Sequence, residues 1–149
     1  MSNWIAITED MLRATGQGAI IDSAKETASG VEADPIAEEI NSVTARIRGA
    51  ISTGNTLDVD PTKIPKSLSG LAKRMIVFAL MERVLFELNT DQRDTRKNDN
   101  SYLLRINDDR LRFELPDNPA GSAEMQPGAT FEVVTSQRRQ NTREELRGI

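Results

Sequence analysis

Apolar residues are unevenly spread along this chain, and their spacing changes character from segment to segment. Residues 71–88 read LAKRMIVFALMERVLFEL, with seven consecutive apolar positions from Met75 to Met81, then Val84, Leu85 and Phe86. Pro65 can occupy a first helical turn, and a helix from there to about residue 88 puts Leu68, Leu71, Met75, Phe78 and the Met81–Leu85 positions on one face. Ile76, Val77, Leu80 and Val84 fill its other faces. A helix apolar nearly all round belongs at the centre of its assembly. Ile36, Ile40, Val43, Ile47 and Ala50-Ile51 follow a different rule, recurring at steps of three and four. They form one stripe on a helix that starts at the Asp34-Pro35 cap and ends near Gly54.

Shorter elements flank these two. Thr8 before Glu9 and Asp10 predicts a helix over 9–15, closed by Gly16 and Gly18. A second short helix is expected over 19–27, followed by a small, polar loop to Asp34. Upstream, Trp4, Ile5 and Ile7 are placed on the core as an anchoring arm. Residues 55–63 form a loop. Thr90 can cap a charged helix over 91–106, whose second half packs through Tyr102, Leu103 and Ile106. The period then changes: in residues 110–115, RLRFEL, polar and apolar residues alternate, which predicts a strand ended by Pro116. Residues 117–129 carry Pro119, Gly121, Pro127 and Gly128 and read as a linker. Residues 130–135 (TFEVVT) allow a second short strand. The final SQRRQNTREELRGI has no apolar stripe and awaits a partner or stays unfolded. The expected fold is mainly α: a small helical bundle around a long central helix, with a short β element and an extended C-terminal arm. Residues 1–115 form the helical domain and 116–149 the linker and arm.

Composition narrows the chemistry. The chain has 149 residues, 38% apolar and 28% charged, with aromatics at only 4%, so its core is built from aliphatic side chains and Met, which suits helices. It has no Cys and no His. Disulfides, thiolate chemistry, the usual zinc sites and Ser-His-Asp or Cys-His catalysts are therefore excluded. The formal net charge of −4 leaves no global footprint for nucleic acid. The N-terminus lacks the basic and apolar regions of a signal peptide, and the apolar run is broken by Glu82, Arg83 and Glu87, too short to span a bilayer. A cytoplasmic site of assembly is expected.

No constellation of side chains suggests catalysis. Asp58 and Asp60 lack the rest of a calcium loop, Asp108-Asp109 suits a turn, and Glu38-Glu39 suits a helix dipole. Gly16-Gln17-Gly18 follows no strand and precedes no Lys-Ser/Thr, so it terminates a helix and cradles no phosphate. Lys73-Arg74 reads as a pair snorkelling on an exposed edge. Arg93, Arg96 and Lys97 are balanced by Asp91, Asp94 and Asp99 as a solvated face with i,i+4 pairs. Arg138, Arg139, Arg143 and Arg147 lie in a segment that cannot support itself, and docking onto an acidic groove of another protein is their expected role. No catalytic, cofactor or metal residues are assigned, and the chain is expected not to be an enzyme.

The order of segments resembles a known family. WIAITEDMLRA leads to a short helix and then ADPIAEEINSVTARIRGAI; a Pro-containing loop leads to IPKSLSGLAKRMIVFALMERV and a charged DQRDTRKNDNSYLLRIND. Over about residues 4–115 this resembles the small head–tail connector (adaptor, or head-completion) proteins of tailed bacteriophages, in particular the Mu-like and siphophage-type helical adaptors. Ala50 stands where that family usually has a tyrosine after its IRG stretch. The resemblance implies a virion protein of the neck, assembled in the host cytoplasm. It implies a homo-oligomeric ring, commonly of about twelve copies, under the portal. Such a ring extends the channel for passing DNA without sequence-specific binding, and docks the tail or stopper protein. Carried over, the arm over 130–149 would bind the portal through Phe131, Val133, Arg138, Arg139, Arg143 and Leu146. Ile76, Leu80 and Val84 would meet a neighbouring subunit. The alternative is a small phage DNA-binding protein of packaging or regulation, using Arg93, Arg96 and Lys97 or the C-terminal arginines on phosphates.

Overall fold

A computed structural model describes residues 2–29, 34–108 and 111–121. In chain order they form strand β1 (Trp4–Ala6), helices α1 (Glu9–Arg13), α2 (Gly18–Thr27) and α3 (Pro35–Ile51), and strand β2 (Lys63–Pro65). A 3₁₀ turn (Lys66–Leu68) leads into α4 (Ser69–Arg83), and α5 (Thr90–Asn107) follows. The chain is mainly α. Three of the helix starts, those of α1, α3 and α5, have a side-chain cap. Thr8 accepts from the Met11 amide at 3.4 Å, and Asp34 accepts from Ile36 at 3.0 Å with Pro35 behind it. Asn89 and Gln92 form a reciprocal capping box at α5. Gly16, at φ +81°, makes the turn between α1 and α2 that a side chain would disfavour.

Helix α4 is enclosed by α1, α2, α3 and α5. Its Leu71, Ala72, Met75, Ile76 and Leu80 join Ile21, Ile36, Val43, Ile47, Ile51, Leu103 and Ile106 in the main core. Its other side, Val77, Phe78 and Met81, is covered by Leu88 and by Ile20 of α2. The two sides together explain an apolar run without polar interruption: one chain covers both. The placing of Ile76 and Leu80 against a neighbouring subunit does not fit this packing. Ile76 and Leu80 are 0% exposed and have no surface left for an interface, while Val84 is half-buried against the main core.

Three further expectations change. The sheet does not come from residues 110–115. It pairs β1 with β2 antiparallel, Trp4 opposite Pro65 and Ile5 opposite Ile64. The described part of RLRFEL joins no strand ladder; Leu111 and Phe113 are half-buried and Arg112 and Glu114 exposed, so the alternation reports one side turned inward without a strand partner. Helix α4 ends at Arg83, short of residue 88. Residues 116–120 belong to the folded body. Pro116 is buried, Val59 donates to the Asn118 carbonyl at 2.8 Å, and Ala120 donates to that of Leu57. The second strand expected over 130–135 and most of the linker and arm lie outside the described residues. Among the described residues no helix is long and apolar enough to cross a membrane.

Surface ion pairs tie helix ends together. Glu9 at the start of α1 accepts from Lys25 and Arg13, and Arg83 in the last turn of α4 reaches Glu38 and Glu39 in the first turns of α3. Each sits where the helix dipole favours its charge. The Lys25 and Arg13 cations hold the Glu9 carboxyl below its ordinary value; Arg13 does so for Asp22, the Thr62 hydroxyl for Asp60, and the Ser2 hydroxyl for Asp117. A carboxyl whose folded value lies below its unfolded one stabilises the fold above the unfolded value, and this is lost as pH falls through the folded value. Stability should therefore be flat near neutrality and fall below about pH 4. Exposure keeps each contribution small. Urea midpoints at pH 7 and pH 3 check this; equal midpoints would contradict it.

Candidate functional site

Two surface features stand at opposite ends of α4. At its C-terminal end the chain leaves the helix through a Schellman-type turn: Leu85 donates to the Glu82 carbonyl at 3.1 Å and Phe86 to that of Met81 at 2.9 Å. Leu85 occupies the left-handed position at φ 55° that usually takes glycine. It is 90% exposed and Phe86 is 54% exposed. Glu87 and Asp91, also exposed, follow at the entry to α5. This corner is an apolar knob with acidic flanks. A leucine here strains the backbone and packs on almost nothing, so Leu85→Gly should stabilise the free chain by about 0.5–1 kcal/mol. A urea midpoint moving the other way would show that the side chain packs within its own subunit.

At the N-terminal end, a hollow of about 510 Å³ opens between the first turns of α4 and the middle of α5. Leu68, Gly70, Leu71 and Arg74 face Asp99, Tyr102 and Arg105 across it. Arg74 binds the buried Asp99 carboxylate with two bonds, Nε to Oδ2 at 3.1 Å and Nη2 to Oδ1 at 2.8 Å. That carboxylate raises the Arg74 guanidinium above its ordinary value. Arg105 has no ion pair or hydrogen bond among the described residues, and Tyr102 is 38% exposed beside it. Gly70 leaves the wall open; a Cβ there would meet only the end of the Arg74 side chain, at 3.8 Å. The hollow continues past Gly70 and Arg74 into a second one, of about 210 Å³, over Lys73, Val77 and Met81. Ser67 donates to the Glu114 carboxylate at 2.9 Å, and Ser101 lines the larger hollow beside Tyr102. That hollow has an apolar floor from Leu68 and Leu71, with guanidinium and hydroxyl groups at the rim.

A third feature holds residues 113–120 on the folded body. Arg48 of α3 fans its guanidinium over the loop before β2, with Nη1 donating to the carbonyls of Asp60 (3.0 Å) and Lys63 (2.7 Å) and Nη2 to that of Asp58 (2.8 Å). Its other contact is the Trp4 ring, 5.9 Å from the centroid. Asp58 is 1% exposed and accepts from the amides of Asp60 (2.9 Å) and Asn118 (3.3 Å). The Trp4 indole donates to the Glu114 carbonyl at 2.8 Å. Arm, loop and exit segment are thus knotted together by Trp4, Arg48 and Asp58.

The residues assigned from the sequence separate accordingly. Phe131, Val133, Arg138, Arg139, Arg143 and Leu146 lie outside the described residues. The solvated face expected on α5 is partly docked: Arg96 pairs with Glu82 of α4 and Asp99 with Arg74, leaving Lys97–Asp94 as an intrahelical pair at i,i+3. Arg74 is therefore no snorkelling side chain. Arg96 is paired to Glu82, Lys97 makes only an exposed 3.5 Å pair with Asp94, and Arg93 is exposed with no ion pair among the described residues. Asp58 and Asp60 serve the loop's own amides, and among the described residues no group of His, Cys, Asp and Glu could hold a metal ion. Sequence reasoning put Leu85 on the apolar face of the long helix, whereas the helix ends at Arg83 and Leu85 is exposed in the left-handed turn that follows; it missed Arg48. No family model, no curated protein and no solved structure matches the chain.

Proposed function

We propose that this chain is a structural head–tail connector subunit of a tailed bacteriophage. In this reading it forms a ring under the portal, extends the DNA channel and offers the tail or stopper protein a docking surface. The observation that carries the reading is the anchored exit. Residues 113–120 are fastened to Trp4, Asn55, Asp58 and Val59, so the chain after residue 121 starts from a fixed point on the folded body. A folded body with an anchored start for its arginine-bearing terminal segment, and with an apolar knob and a charged hollow on its surface, suits an assembly part. The arginines at 138, 139, 143 and 147 then meet the portal.

Portal rings mixed with this protein and imaged in negative stain should show added density on the tail-facing side. Bare portals at high protein concentration would overturn the reading. Deleting residues 136–149 should leave the melting temperature unchanged and abolish attachment; a large drop in stability would place that segment in the body's own packing. The DNA-binding alternative predicts a gel shift that weakens steeply with salt.

A further inference from the structure

We propose that the Leu85-Phe86 knob of one copy docks into the hollow between α4 and α5 of the next copy, with Glu87 and Asp91 facing Arg105 and Lys73. The inference rests on the ring assembly just described and supplies its contact. Three observations carry it. Leu85 holds a left-handed position at 90% exposure; a strained side chain with almost no packing inside its subunit is accounted for by a surface outside it. The charges are complementary. In the hollow, Asp99 neutralises Arg74, which leaves Arg105 and the adjoining Lys73 as an excess of positive charge, while the knob brings two carboxylates. The two surfaces are also distinct patches. Gly70 and Leu85 are separated by roughly 20 Å along the helix direction. A contact between two distinct patches closes either as a ring, when the rotation per subunit allows, or as a reciprocal twofold pair. Oligomers beyond the dimer are what the ring predicts, and a doubly cysteine-substituted variant that stops at the dimer would overturn it.

The chain has no cysteine, so engineered thiols report one contact without background. The variant Leu85→Cys/Ser101→Cys, one thiol on the knob and one at the rim of the hollow, is oxidised free at high concentration and on portal rings. Non-reducing gels should show a ladder of covalent oligomers in at least one arm. Adding Arg105→Glu should cut the ladder about tenfold, and adding Glu87→Lys to that variant should restore it, because each contact then regains opposite charges. Leu85→Cys alone should stay monomeric; a dimer from it would show two knobs meeting about a twofold axis and overturn the proposal. Absence of a ladder in both arms, with portal attachment intact by microscopy, would overturn this contact and leave the connector reading standing. A ladder on protein that never decorates portals would uphold the contact and overturn the connector reading. Neither ladder nor decoration would overturn both.

Discussion

Trp4→Ala should destabilise the protein by about 3–5 kcal/mol, a fall of roughly 10–20 °C in melting temperature. Trp4 is 1% exposed although it lies three residues from the N-terminus. Its ring fills the space between β2 and the segment around Glu114. Its indole N–H donates to the Glu114 carbonyl, and its face receives Arg48. Truncation removes the apolar contact, leaves a cavity and frees a carbonyl at one stroke. Trp4→Phe keeps most of the apolar volume and loses the hydrogen bond, and should lose about 1–2 kcal/mol. Trp4 is the chain's one tryptophan, so wild-type fluorescence follows the arm alone while far-UV circular dichroism follows the helices. The two urea transitions should superimpose, because the arm closes the same core. A Trp4→Ala midpoint within about 0.5 kcal/mol of wild type would mean that the arm is an appendage.

The parts of the fold legible in the sequence are those with local causes. Asp34-Pro35 is a cap and a first-turn proline in two adjacent residues, and the stripe from Ile36 to Ile51 follows it without interruption, so α3 is readable unaided. The start of α5 is displaced by one residue because Asn89 and Thr90 both favour the cap position; the reciprocal partner Gln92 selects Asn89. The end of α4 is hidden for the opposite reason. Glycine is the usual left-handed residue, and Leu85 carries no such mark. The sheet is hidden too. Its strands are three residues each, one of them containing Pro65, and such short runs leave no period to count.

Pairings between helices were illegible for a geometric reason. Spacing along one helix finds Lys97–Asp94, but Asp99 meets Arg74 and Arg96 meets Glu82 only once α5 lies across α4 at its actual angle. The same holds for the knob and the hollow. Phe86 and Arg105 look unremarkable in one dimension, and their significance comes from what the packed core leaves uncovered. The apolar excess of residues 75–81 had pointed to a partner for the helix centre. The enclosing helices absorb that centre, and the unsatisfied surface moves to the helix ends.

Arg48→Lys should lose about 2 kcal/mol although the charge is kept. Three carbonyls, those of Asp58, Asp60 and Lys63, converge on two separate nitrogens of one planar guanidinium. An ammonium is a single point; it can hold one of them well and leaves the others to solvent or unsatisfied. The substitution also loses the guanidinium that stands 5.9 Å from the Trp4 ring centroid. The damage should begin in the loop. Amide exchange at Val59 and Asp60, which donate to Asn118 and Asp58, should accelerate about tenfold or more before the α4 amides respond. Because Arg48 and Trp4 touch, Trp4→Phe/Arg48→Lys should fall short of the sum of the single losses by about 0.5–1 kcal/mol. An Arg48→Lys variant with wild-type midpoint and unchanged exchange would show that charge alone organises the loop. Strict additivity in the double variant would show that arm and loop are held independently, and that the exit of the chain from its body is fastened at two separate points.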